Sequence, residues 1–219
     1  MDYGCFYDQI LSAEELGGFY QKYWNAGKCL EIELVETINF KYKTNSRKFY
    51  NYMLFDSKAF FANVKFLQSL ESITDIGCRR FLSGCFYFGK GQADRPNVHI
   101  QEALDMNNCA AKHITIRKIW DQGGGVLILK FFFNASSYIA STREAILIDY
   151  VGLNDITNIR RGSYYGGIDN WGDNVLTNMG KLYTLKIISG CFEHFEIFLR
   201  EDLIWGGGRK ETESWAVTR

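Results

Sequence analysis

Tyr52 in YNYMLFD, Tyr87 in CFYFGKG, Arg95 and His99 in RPNVH, Glu144 in STREA and Asn158 in DITN are the side chains with most chemistry to offer. Arg95 presents a fixed cationic fork that suits two oxygens of one phosphate. Glu144 is a candidate metal ligand. A single carboxylate suffices for Mg²⁺, which keeps several waters and takes further oxygens from a substrate phosphate. An unperturbed tyrosine has a pKa of about 10, so a phenol acts as a base only where a cation such as Lys90 or Arg95 lowers that value. His99 follows Arg95 by four residues, on the same face if the stretch is helical; it suits proton relay or phosphate binding. The Asn158 amide suits tying its loop to a neighbouring helix or reaching a phosphate. Gly89 and Gly91 flank Lys90 and allow close backbone approach. That GKG is too short to be a phosphate loop by itself. Arg160 and Arg161, with Lys90 and the Arg79-Arg80 pair, are candidates for following a nucleic-acid backbone.

Each of these residues also has a plainer reading. Ser141 to Glu144 fits a capping box if a helix begins at Ser141, although Tyr138, Ile139 and Ala140 would carry the same helix further back. Tyr52 and Tyr87 suit sheet packing, Arg95 a surface position ahead of a helix, and His99 a structural role. Asn158 suits a turn. The arginine pairs suit a solvated face.

Helices and strands in alternation must position these groups. Residues 8–26 predict a helix, with Ser12 and Glu15 as a capping box and Leu16, Phe19, Tyr20, Tyr23 and Trp24 at helical spacing. LEIELVETINFKYK alternates over part of its length and predicts a strand. Lys41, Lys43, Arg47 and Lys48 then interleave with Phe40, Tyr42, Phe49 and Tyr50, which suits either a nucleic-acid surface or a hairpin with one wet face. Strands are expected at Phe49–Phe55, in FLSGCFYFG and in VLILKFFF, with helices near residues 57–70, 96–106, 109–121 and 137–151. From Met179, the spacing of Leu182, Leu185, Ile188, Phe192, Phe195 and Leu199 predicts a helix over 179–201, with alternation as its competitor. Residues 205–219 read as a loose tail.

Composition narrows the class. The chain has 219 residues, 47% hydrophobic, with one proline, which suits a packed domain with elaborations and excludes a disordered chain. The formal net charge is zero and the pI about 6.8, so nucleic-acid binding would need locally clustered charge. Six cysteines form no CxxC pair, and with three histidines a Cys/His zinc site is not expected. The N-terminal residues lack the pattern of a signal peptide, and no run of about 18 apolar residues occurs, so no membrane partner is expected. Free thiols in a reducing cell interior, cytoplasm or nucleus, with no secretion, are the simplest account.

The ordered set Tyr52, Tyr87-Phe88-Gly89-Lys90-Gly91, Arg95, His99, TREA at 142–145, Thr157-Asn158 and the RG and YYG that follow resembles the GIY-YIG nuclease module. The similarity is to the branch that ends the ankyrin-repeat and LEM-domain nucleases of animals. It covers residues 46–172 in detail, with residues 1–45 as an N-terminal extension and 173–204 as a C-terminal helical extension. The resemblance implies an α/β (α+β) fold with a small, mainly antiparallel three-stranded sheet flanked by helices. It implies a DNA endonuclease that uses Mg²⁺ or Mn²⁺ held by Glu144, with Tyr52 as general base, Tyr87 as its helper and Arg95 on the phosphate. Branched or bridging DNA and a place in DNA repair are the associated expectations. The alternative is a non-cleaving DNA-binding module of the same fold. The motif departs from its relatives at Phe88, where a β-branched residue is usual, and at Tyr50-Asn51, which replace Gly-Ile.

Overall fold

The computed structural model describes residues 17–43, 48–69, 75–168, 171–190 and 195–204. The aromatic run FYNYMLFD forms strand β1 (Phe49–Asp56), buried on both faces except at its ends. It lies inside a four-stranded antiparallel sheet of order β2-β1-β3-β4, with β2 at Cys85–Gly91, β3 at Val126–Ala135 and β4 at Phe195–Phe198. Two-sided burial follows from helices on both faces. Met53, Phe55, Phe88, Leu127 and Leu129 point to one core, shared with α1 (Gly17–Tyr42), α2 (Ser57–Gln68), α3 (Asp75–Leu82), α6 (Ser137–Val151) and α7 (Asp173–Gly190). Tyr52, Leu54, Phe86, Val126 and Ile128 point to the other, where α4 (Arg95–Leu104) and α5 (Ala111–Asp121) add Ile100, Ile116 and Trp120.

Several expectations change. Residues 30–42 are helical and not a strand or hairpin arm, because Leu30, Leu34, Val35, Ile38 and Tyr42 all pack on one core, and that spacing shares a face only in a helix. Ser12, Glu15 and Arg47 lie outside the described residues. Phe81 and Leu82 close helix α3, so the second strand begins only at Cys85. The helix expected over 179–201 instead spans 173–190, and Phe195–Phe198 becomes a fourth strand paired to Val126–Leu129. The competing alternation wins there because β3 offers an open edge whose backbone groups need partners. A five-residue helix α8 (Arg200–Ile204) follows, and the tail beyond it lies outside the described residues.

Helix α6 starts where its cap dictates. The Ser136 hydroxyl accepts a hydrogen bond from the Ile139 N–H at 3.3 Å, and Gly152 with φ +98° ends the helix. Ser141 to Glu144 therefore sit in mid-helix, and a capping box at Ser141 is ruled out. Beside Glu144, Arg143 is structural: its guanidinium donates to Glu31 of α1 at 2.9 Å and stacks over Phe132, 4.8 Å from the ring centroid. Lys186 of α7 meets the same carboxylate, so Glu31 ties three helices together. Among the described residues no helix is long and apolar enough to cross a membrane.

Candidate active site

Register puts the phenols together. Tyr52 lies opposite Gly89, and Leu54 opposite Tyr87, but Phe55 pairs with Cys85, leaving Phe86 as the extra residue of a bulge. Strict alternation would hold Cys85 and Tyr87 on one face. The bulge instead sends Cys85 to the first core and Tyr87 to the face of Tyr52. The two rings lie 6.1 Å apart.

The glycines have a steric reason. A Cβ on Gly89 would stand 2.4 Å from Tyr52 Cζ and 2.6 Å from its hydroxyl, so the ring lies directly across the glycine. A Cβ on Gly91 would meet the Arg95 Cβ at 2.9 Å. Between them Lys90 points to the opposite face, where its ammonium donates to the Ser137 and Ser141 hydroxyls of α6 at 2.9 and 2.6 Å.

Helix α4 begins with Arg95 and Pro96, which suits a first turn that needs no N–H partner. One turn on, His99 is 1% exposed and its Nε2 lies 2.9 Å from the Tyr52 hydroxyl. Its Nδ1 lies 3.2 Å from Glu102 Oε2, so the carboxylate on the next turn orients the ring. Burial pushes the imidazole down to about 4, helped by the charges of Lys112 and Arg95 and opposed by Glu102, so His99 is neutral near pH 7.

Burial raises Tyr52 far above the ordinary tyrosine range; the charges of Tyr87 and Glu144 add to this and Arg95 opposes it. Tyr87 moves the same way, through burial and Glu144, with Arg95 again opposing. The Lys112 ammonium sits over the Tyr87 ring, 5.0 Å from its centroid. The Glu144 carboxyl is raised to about 7 by burial, against the pull of Lys90. The Lys90 ammonium is lowered by burial and supported by Glu144. Glu144 and Arg95 therefore exert their charges on both phenols, one from α6 and one from α4, across β2. Tyr52, Tyr87, Arg95, His99 and Glu144 share one electrostatic neighbourhood.

Asn158 ties a loop to a strand and not to a helix. Its Oδ1 accepts from the Phe88 N–H and its Nδ2 donates to the Phe88 carbonyl, both at 2.9 Å. Thr157 donates to the Phe86 carbonyl through its N–H and its hydroxyl, at 2.7 and 2.8 Å. Together they pair the outer edge of β2, which among the described residues has no strand beyond it. Arg160 and Arg161 are exposed on the segment that follows, and the Arg161 Nε is 3.7 Å from Asp149. That segment crosses α6 where Gly162 meets Ala145, next to Glu144.

Glu102, Lys112 and His113 escape the sequence reading. Glu102 has a visible signal, three residues after His99 on the same helix. Lys112 and His113 have none, because only the packing of α5 against α4 and β2 brings them in.

A divalent ion, implied by the resemblance, can be tested against Glu144. The carboxylate is half-buried, and among the described residues no hydrogen bond or ion pair engages it. A group held up to about 7 by burial, with only the pull of Lys90 against it, has less positive charge beside it than its burial calls for, and a hard, oxygen-seeking cation would supply the remainder. The donor chemistry fits.

Two phenols, a guanidinium and a carboxylate thus lie around the outer strand of a small antiparallel sheet. A family model, the LEM-3-like GIY-YIG domain, matches residues 49–202, and the chain belongs to that family of nuclease domains. Among curated proteins, the chain is 36% identical over 107 residues to ankyrin repeat and LEM domain-containing protein 1 of Mus musculus, covering 46% of this chain and 20% of that protein. The Homo sapiens protein is 34% identical over 99 residues, covering 42% and 16%, and its Caenorhabditis elegans homolog 30% over 131 residues, covering 57% and 17%. The chain thus spans a fifth or less of the length of these relatives. No solved structure matches it.

Proposed function

We propose that the chain is a metal-dependent DNA endonuclease that hydrolyses phosphodiester bonds, with branched or bridging DNA as its substrate class. The observation that carries this reading is the shared electrostatic neighbourhood of Tyr52, Tyr87, Arg95, His99 and Glu144 in a chain of a nuclease family.

Arg95 binds two oxygens of the scissile phosphate and neutralises charge as it develops. Tyr52 receives the proton of the attacking water, and its hydroxyl is held in place by His99 at 2.9 Å. A phenol raised by burial is rarely ionised but strongly basic when it is. Positive charge beside it is therefore the requirement, and Arg95 supplies part of it. Tyr87 orients the water or the phosphate. Glu144 would hold Mg²⁺ or Mn²⁺, which when bound supplies Lewis-acid charge to the leaving oxygen. Lys90 steadies Glu144 from its seat on α6. Arg160 and Arg161 extend the positive surface beyond the phosphate, which answers the zero net charge with local clustering.

A supercoiled plasmid and a branched duplex, each incubated with Mg²⁺ or Mn²⁺, test the reading. Wild type is expected to nick or cut, while Glu144→Gln and Tyr52→Phe lose activity by at least about a hundredfold. Folded wild type that binds DNA without cutting it under either ion would establish the binding module instead.

A further inference from the structure

We propose that His99, Glu102 and His113 form a second metal site, separate from Glu144, that takes a first-row transition dication, Zn²⁺ above all. Nothing in this depends on whether the chain cuts DNA. His99 and Glu102 stand one turn apart on α4, and His113 enters from the first turn of α5. Glu102 Oε2 is 3.2 Å from His99 Nδ1 and 3.1 Å from His113 Nε2. All three donor atoms fall within 4.8 Å of one another. Ligand atoms around one tetrahedral Zn²⁺, at about 2.0–2.1 Å from the ion, are about 3.3 Å apart. The cluster is therefore already near its ligated geometry.

His113 is the observation that calls for an ion. It is 3% exposed, yet among the described residues neither of its ring nitrogens makes a well-aimed hydrogen bond. Glu102 is close enough to Nε2 but not along the direction an N–H would require. A buried donor or acceptor left unmatched costs about 1–3 kcal/mol, and such groups in folded proteins are usually explained by a water or an ion. Glu102 Oε2 and His113 Nε2 lie close together without aiming at each other, as donors to a shared ion would, and His99 Nδ1 would exchange its Glu102 hydrogen bond for the same ion.

The donor set also chooses the ion. Two imidazoles and one carboxylate favour Zn²⁺ and its neighbours over Mg²⁺, which seeks oxygen. Glu144 offers oxygen alone, so the two sites sort ions by hardness. Lys112 and Arg95 face the cluster and oppose a dication, while Glu102 cancels half its charge. Lys112 spends part of its charge over the Tyr87 ring. Three protein ligands leave a fourth position for water or an anion. With the ion at Nδ1, the His99 tautomer is settled: Nε2 carries the proton and donates to the Tyr52 hydroxyl. The ion would thus clamp α4 to α5 and orient the candidate base at once.

The test is calorimetric titration of the full chain, stripped by chelator, with Zn²⁺ alone, and with Co²⁺ followed by its visible absorption. One ion per chain is expected. Affinity should fall by at least about a hundredfold in Glu102→Gln and in His113→Ala and hold in Glu144→Gln. Circular dichroism checks each variant; should His113→Ala unfold, the titration of Glu102→Gln, altered at a partly exposed position, decides alone. Absence of Zn²⁺ binding, binding that survives Glu102→Gln, or binding abolished by Glu144→Gln overturns the proposal.

Discussion

Replacing Glu144 by glutamine removes a carboxyl that the fold keeps protonated up to about pH 7. Its pKa rises from 4.5 to about 7 in the folded chain, chiefly through burial. Between those values the folded state keeps a proton that the unfolded chain has lost, so wild-type stability falls as pH rises through the interval. At 1.36 kcal/mol per pH unit, the full interval amounts to about 3 kcal/mol. Glutamine carries no such penalty. Without divalent metal, Glu144→Gln and wild type should therefore be equally stable near pH 4.5, and the variant about 3 kcal/mol more stable above pH 8. Urea unfolding followed by circular dichroism, at several pH values with a chelator present, reads the difference. Adding Mn²⁺ at about ten times its dissociation constant should then return about 1.4 kcal/mol to wild type alone. A stability difference independent of pH would refute the argument that burial governs this carboxyl, and equal stabilisation of both proteins by Mn²⁺ would remove it as a ligand.

Gly89→Ala puts a methyl 2.4 Å from Tyr52 Cζ, so cleavage should drop by at least about a hundredfold with a loss of about 1–3 kcal/mol in a thermal or urea melt. Asn158→Ala leaves the Phe88 N–H and carbonyl without partners on an edge strand; a loss of about 1–3 kcal/mol is expected, and unaltered amide exchange at Phe88 would count against it. Arg143→Met leaves Glu31 with Lys186 alone and should cost about 2 kcal/mol in urea unfolding while cleavage persists at wild-type rate. His99, held down to about 4 by burial, adds stability above pH 6.5 that is lost as pH falls toward 4; His99→Gln should flatten that part of the stability profile.

Local pattern accounts for much of this protein. Strand β1 announces itself by its aromatic run, α6 by a continuous helical stretch that stops at a glycine, and α4 by Pro96 in its first turn. Tyr52, Tyr87, Arg95, His99 and Glu144 stand out as a set through their resemblance to the GIY-YIG module, and the sheet and helices then bring them near one another. The signals for the elements are short-range, set by residues a few positions apart, and so survive without knowledge of the fold. Tertiary packing decided the rest. Leu34 and Ile38 read as part of a strand until α7 gives them a helix face to meet. Phe195–Phe198 reads as helix until the open edge of β3 recruits it. The bulge at Phe86 has no local signature, yet it puts Cys85 and Tyr87 on opposite faces, while the register Tyr52–Gly89 and Leu54–Tyr87 sets Tyr87 beside Tyr52. Lys112 and His113 become neighbours of His99 and Tyr87 only because α5 folds back on α4 and β2. A chain's own periodicity says which face of an element is apolar; which partner covers that face is a property of contacts between residues far apart in sequence, and those exist only once the molecule has folded.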